Sequence, residues 1–424
     1  MIEIKDSGIE WIGDIPAHWE IKRLKSIFSE CKDLSSTGEE DLLSVSEYYG
    51  VARRLDIKED DEFDSRADSL EGYKICKKND LVINIMLAWK RGLGFSDYDG
   101  IVSPAYAVYR GKNIIPHYYH YLLRTDRYIA EFKRNSKGII DSRLRLYSDR
   151  FFNIKTIVPP LAEQQAIADY LDKKTAEIDK QITALEKKSD AYQRLKRSLI
   201  SEVVTRGLNP TAELKDSGIE WIGKIPAHWE IRRLKDVSSF VNGYAFDSND
   251  FETDDGIKVI RIGDIGQSVD FENCARAKTD SALLSGYKIN DGDILLAMSG
   301  ATTGKTCIVY NPQEAFINQR VGIIRSKMSK MIFYLLQTPY FLEFVNLYNT
   351  GSAQPNISSK DVGEFPIIVV PAEERQMLTD YLDKKTAEID SNISAISSKV
   401  DAYKRLKQSL IEEVVTGKIR IEKA

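Results

Sequence analysis

The sequence predicts an α/β (α+β) protein built twice over: two mixed domains in tandem, each followed by a long α-helix, the two helices paired, and the whole an internal pseudo-twofold repeat. Three observations predict it. The segment KDSGIEWIGDIPAHWEIKRLK, from Lys5, returns as KDSGIEWIGKIPAHWEIRRLK from Lys215. The segment EQQAIADYLDKKTAEIDKQITALEKKSDAYQRLKRSLISEVVT, from Glu163, returns as ERQMLTDYLDKKTAEIDSNISAISSKVDAYKRLKQSLIEEVVT from Glu374. Between them lie blocks of short β-forming runs punctuated by Gly, Asn and Asp. Such a long period far exceeds the roughly 20 to 50 residues of a stacking repeat, so each copy is a whole domain plus a helix. Residues 1–160 form the first variable domain, 161–207 its helical segment, 208–370 the second domain and 371–424 its helical segment.

In the first domain the runs LVINIML and GIVSPAYAVY read as strands and HYYHYLLRTDRYIAEF as helix; in the second, ILLAM and TCIVY read as strands. GYKICKKNDLV, from Gly72, answers GYKINDGDILL, from Gly286, so the two domains share one fold. In the first helical segment Ile178, Ile182, Leu185, Tyr192, Leu195, Leu199 and Val203 fall on one stripe. The second keeps it at Ile389, Ile393, Ile396, Tyr403, Leu406, Leu410 and Val414. Gaps of three, four or seven make one narrow apolar seam, which suits pairing of one helix with the other. From Thr175 to Thr205 the helix spans about 45 Å. Two equivalent surfaces on one chain predict two copies of whatever partner binds the repeated parts.

Composition is that of a water-soluble globular protein: 424 residues, 42% hydrophobic and 29% charged, net charge -4. Acidic residues follow at once in the opening MIEIKDSGIEW, and the longest apolar run, Leu81 to Trp89, is interrupted by Asn84. A cytoplasmic protein with no membrane segment is expected. The charge is uneven. Residues 30–71 hold 5 Lys/Arg against 14 Asp/Glu, and residues 72–160 hold 16 against 7. A basic stretch beside an acidic one sets up a field that orients a domain on a polyanion.

Cys31, Cys76, Cys274 and Cys307 lack CxxC spacing and read as reduced thiols. His117 and His120 share a helical face without further ligands, so no metal site is expected. SGATTGKT, Ser299 to Thr306, imitates a phosphate loop, yet only three residues separate Gly300 from Gly304 and a strand-like run follows. The Pro-Pro at 159–160 lacks the Asn/Asp and aromatic neighbours of an adenine methyltransferase, and neither GxSxG nor HExxH occurs. Three readings remain: a recognition subunit, a helical assembly adaptor that does not touch DNA, and an NTPase acting through Ser299–Thr306.

The doubled KDSGIEWIGxIPAHWEI, the exits PPLAEQQAI and PAEERQML, and the DKKTAEID helices closely resemble the specificity subunits of type I restriction-modification systems. FVNGYAFDSNDF, VIRIGDI, GDILLAMSGATTGK and INQRVGIIR look like motifs of their target recognition domains; LLSVSEYYGV and SPAYAVYR are looser matches in the first domain. The resemblance spans essentially the whole chain. It implies that each variable block reads one half of a bipartite, asymmetric site on double-stranded DNA. It implies helices packed antiparallel that set the gap between half-sites and dock two methyltransferase subunits. Those partners would methylate adenine N6 with S-adenosylmethionine, and restriction (motor-nuclease) subunits would use ATP and Mg; this chain would bind no cofactor and catalyse nothing.

Base edges are read by polar side chains on loops at strand ends. In the first domain these are Ser46, Tyr48, Lys90, Arg91, Ser142, Arg143 and Arg145. In the second they are Asn242, Tyr244, Arg261, Thr302, Thr303, Lys305, Gln319, Arg320, Gln354, Asn356 and Lys360. Trp11, His18 and Trp19, with Trp221, His228 and Trp229, do not vary between copies and read as core or domain-joining residues.

Overall fold

A computed structural model describes residues 3–56, 69–251, 255–279, 281–348 and 355–421. The chain divides into two compact units, one of Met1–Leu185 with Ser398–Ala424 and one of Glu186–Ser397. The long helices run Leu161–Arg206 and Ala372–Val415, so each contributes to both units.

Each unit is organised on a four-stranded antiparallel sheet. In the first, the order is Phe28–Cys31, Tyr106–Gly111, Asp80–Asn84 and Leu93–Phe95. In the second it is Ser239–Asn242, Val321–Arg325, Ile294–Ala297 and Thr306–Ile308. Successive side chains of a strand point to opposite faces, and both faces here are covered. Leu81, Ile83, Ala107 and Tyr109 enter the core under the helices Pro116–Leu123 and Asp126–Asn135, while Val82 and Val108 join Leu43, Val45, Val51 and Cys76 on the other side. The second unit alternates alike: Ile294, Leu296 and Ile324 face one core, and Leu295, Ala297 and Ile323 face another. Doubly covered strands explain why LVIN and ILLA read as unbroken apolar runs.

A buried carboxylate ties the central strands in both units. Arg110 grips Asp80 with Nε and Nη2 at 2.9 and 2.8 Å, and Arg325 grips Asp293 at 2.9 and 3.0 Å. Both aspartates are buried. Asp80 Oδ2 also accepts the Lys77 N–H, and Asp293 Oδ2 the Asn290 N–H. The Asp80 contact raises the Arg110 pKa further above its ordinary value.

The repeated AHWE motif meets the start of the helix that follows it. Trp19 Nε1–H donates to Glu163 at 2.9 Å, with His18 Nε2 2.7 Å from the other carboxylate oxygen. Trp229 and His228 meet Glu374 at 2.9 and 2.7 Å, there through one and the same oxygen, Oε2. The end of the opposite helix closes over the same indole. Gly417, at φ 76°, approaches so closely that a Cβ there would lie 2.6 Å from Pro16 and 2.8 Å from Trp19. Gly207, at φ 74°, lies over Trp229, where a Cβ would come within 3.2 Å. A glycine in the left-handed region is the ordinary way to terminate a helix, and here it also lets the helix end settle onto the tryptophan.

Within each unit the two helix segments run antiparallel. In the first, Val414 shares a core with Leu171, and farther along Lys407 pairs with Asp179 at 2.7 Å. In the second, Val203 shares a core with Leu382, and Lys196 pairs with Asp390 at 2.7 Å. Of the seam residues, Ile178, Val203, Ile389, Ile396 and Val414 are buried; Ile182, Leu185, Tyr192, Leu199, Ile393, Tyr403 and Leu410 are half-buried. Leu195 and Leu406 depart from the expected seam, each 53% exposed. Their sequence neighbours Lys196 and Lys407 make the ion pairs, so the helices meet there through charge rather than through leucine.

Replacing Trp229 by alanine removes a fully buried indole and is expected to lower the second unit's unfolding free energy by about 3–5 kcal/mol. Urea denaturation followed by hydrogen exchange should place that loss in residues 186–397.

Candidate nucleic-acid interface

In the second unit the chain leaves the strand Ile294–Ala297 and enters the SGATTGKT loop, whose backbone is closed on itself. Gly304 N–H donates to Ala297 O and Lys305 N–H to Thr302 O; Gly300 N–H and Thr303 Oγ1–H both donate to Pro355 O. After the short 3₁₀ turn Gly300–Thr302 comes the strand Thr306–Ile308, not a helix. The N-terminal helix dipole and N–H groups that hold a phosphate in an NTPase are therefore absent from this loop.

Two neighbouring segments complete a cleft of about 510 Å³ lined by Asn242, Ser299, Gln319, Arg320, Asn356 and Ser358 among others. The turn carrying Gln319 and Arg320 is set by Val321 N–H to Asn318 O and by Arg320 N–H to Asn318 Oδ1. The opposite wall is anchored by Ile357 N–H to Met298 O. Ser299 Oγ and Thr302 Oγ1 lie in this loop buried and, among the described residues, without a hydrogen-bond partner. A buried hydroxyl left unpaired costs free energy.

The first unit has the same framework with another lining. Leu146 N–H donates to Ile85 O as Ile357 does to Met298 O, and Tyr106 N–H to Ser103 O as Val321 does to Asn318 O. Its loop is IMLAWKRG instead of SGATTGKT. Lys90 and Lys133 place their ammonium groups 5.1 and 5.0 Å from the Trp89 ring centre, and Lys133 reaches Asp141 at 2.8 Å. The hairpin bearing Ser142, Arg143 and Arg145 is thereby joined to the loop bearing Lys90.

Not every residue chosen from sequence lies on these two surfaces. Arg91, at φ 61°, pairs with Asp126 and donates through Nε to Arg124 O. With Tyr48 it lines a separate cleft of about 410 Å³ beside Arg124 and His120. Burial brings Arg124 down to about 10 and His120 to about 3, so the imidazole there is neutral at pH 7. Ser46 ends the hairpin strand Leu43–Ser46. Tyr244 stacks edge-on against Phe246 and Tyr287, at 4.9 and 5.4 Å. Arg261 is exposed, its backbone N–H capped by Asp264, and lies outside the 510 Å³ cleft. Lys305 is exposed at the loop's end, and Lys360 on the short helix Ser359–Gly363 beside the cleft. Gln354 lies outside the described residues. Sequence reasoning missed Ser299, Ser358, Trp89 and Lys137. Ser299 stood inside a motif from which Thr302, Thr303 and Lys305 were chosen instead, and Trp89 has no aromatic counterpart in the second copy.

Among the described residues no helix is long and apolar enough to cross a membrane. The family described as type I restriction modification DNA specificity domain matches residues 16–187 and 226–401. The type I restriction enzyme MjaVIII specificity subunit of Methanocaldococcus jannaschii is 27% identical over 371 residues, covering 82% of each chain. The EcoBI specificity subunit of Escherichia coli is 24% identical over 214 residues, 50% of this chain and 43% of that one. Among solved structures, a chain from work on complex assembly and conformational transition of the type I R-M system superposes with a TM-score of 0.70 at 17% identity, covering 96% of this chain and 99% of its own. The HsdS subunit from Thermoanaerobacter tengcongensis gives 0.50 at 18% identity, covering 96% and 98%. These structural likenesses show a shared fold.

Because the Ser299 and Thr302 hydroxyls have no partner to lose among the described residues, Ser299→Ala and Thr302→Val are expected to leave the melting temperature unchanged or slightly raised. A fall of more than a few degrees in calorimetry would mean that these hydroxyls are bonded within the folded chain.

Proposed function

The chain belongs to the type I restriction modification DNA specificity family, and we propose that its two units read the two halves of one bipartite, asymmetric DNA target. One observation carries this: a single framework occurs twice and presents two different polar linings. Ser299, Gln319, Arg320 and Asn356 line the second unit's cleft with neutral donors and acceptors and one guanidinium, whereas in the first unit Lys90 and Lys133 set ammonium groups over Trp89. Arginine pairs with guanine, and Asn or Gln with adenine, in the major groove. Different linings on equal frames therefore specify different half-sites.

The chain is the recognition subunit and performs no chemistry. Its repeated segments dock two methyltransferase subunits, which methylate adenine N6 with S-adenosylmethionine, and restriction subunits supply an ATP- and Mg-dependent motor-nuclease. The names of the curated relatives, specificity subunits of restriction enzymes, support this reading. The two long helices form an antiparallel coiled coil about a pseudo-twofold axis and set the gap between half-sites.

Methylation sequencing of a cell carrying the complete system should show one motif of two unlike half-sites around a fixed gap. An uninterrupted or palindromic motif would contradict the reading. The variant Ser299→Ala should lose about 10- to 100-fold in discrimination at one base pair of the second half-site, the magnitude of one good base contact. Inserting four residues after Lys188 and after Lys399 adds about 6 Å and nearly one turn to each helix. With about 3.4 Å of axis per base pair, the gap should lengthen by about two base pairs while both half-sites persist.

A further inference from the structure

Among the described residues of the first unit the most exposed large apolar side chain is Ile139, 98% accessible, and its neighbour Ile140 is 53% accessible. They are not placed there by slack in the chain. Lys137 and Arg145 bond to each other through both backbone groups at 2.9 Å, closing a hairpin around them. The two arms pass so closely at Gly138 that a Cβ would lie 2.6 Å from Arg143 O. Arg143 N–H donates to Ile140 O at 2.8 Å. Leu144 and Leu146 are buried behind the tip, and Ser136 and Leu146 hydrogen-bond into the body of the unit. An ordered hairpin thus holds two isoleucines in water.

Around them the charge is of one sign. Lys137, Arg143 and Arg145 form no ion pair among the described residues, and the nearby Asp141 is taken by Lys133. An apolar tip between unpaired cations matches a nucleic-acid duplex, where stacked bases lie between rows of phosphates; inserted Ile, Leu or Phe side chains part such stacks and kink the helix. The hairpin is also continuous with the reading surface, through Leu146 N–H to Ile85 O and through Lys133 on Trp89.

We infer that the hairpin Lys137–Arg145 is a wedge: Ile139 enters a base step in or beside the first half-site, and Lys137, Arg143 and Arg145 hold the flanking phosphates. This rests on the reading of the chain as a DNA-recognition subunit. It adds that the first half-site is recognised partly through its capacity to be unstacked, so a flexible pyrimidine–purine step is expected there.

The test uses the assembled complex and its mapped target, with 2-aminopurine placed in turn at each position of the first half-site and its flanks. Wild-type complex should brighten one position other than the methylated adenine several-fold. The variant Ile139→Ser with Ile140→Ser should lose that brightening, dissociate about tenfold faster and relax the preference for the pyrimidine–purine step, with unchanged melting temperature and assembly mass. Arg143→Gln should keep the brightening and lower the salt slope of log K by about one. Specific binding without isoleucine-dependent brightening, or loss of subunit assembly in the double variant, would overturn the wedge alone. Failure of wild-type complex to bind any sequence specifically would overturn the recognition reading, and the wedge with it.

Discussion

In each unit one indole N–H and one glutamate hold together three stretches of chain that are far apart in sequence. Trp19 donates to Glu163 at the first turn of one helix while Gly417, at the end of the other, lies over its ring. Trp229, Glu374 and Gly207 repeat the arrangement. An indole carries a large apolar surface and a single donor that must be satisfied when buried. It can therefore fix the helix start in direction as well as in contact. In sequence, the four-stranded sheet of each unit lies between the indole and the glutamate of its joint.

This division of labour explains the pattern of identity between the copies. The joint needs Trp, Glu and Gly in both units, and the central strands need the Asp80–Arg110 or Asp293–Arg325 pair, because removing one partner of a buried pair leaves an uncompensated charge. The loops after the second sheet strand carry no such duty. IMLAWKRG and SGATTGKT hang from equivalent backbone hydrogen bonds, Leu146 to Ile85 and Ile357 to Met298, yet present unlike chemistry. On the proposed reading, stability resides in the frame and specificity in the lining, so one can change without the other.

Much of this was legible in the sequence. The doubled segments announced two tandem copies of one mixed domain, and short β-forming runs such as LVINIML and ILLAM announced strands of their sheets. What was not legible depended on partners distant in sequence. Leu195 and Leu406 fit the stripe but stand exposed, because Lys196 meets Asp390 and Lys407 meets Asp179 at that level. Arg91 has the character of a base reader, but Asp126 claims it. Tyr244 is committed to Phe246 and Tyr287. Nor does periodicity show that residues 398–424 complete the unit that begins at the N-terminus. That association lies in the fit of Gly417 to Trp19, which involves residues about four hundred positions apart.

The claim on which the rest turns is that two heads read independently on one common frame. Exchanging residues 231–360 for the corresponding block of a relative, with both Trp–Glu–Gly joints left intact, tests it most directly by methylation sequencing. The account predicts a new sequence in one half of the methylated motif, the other half and the gap unchanged. Alteration of both halves, or of the gap, would contradict it.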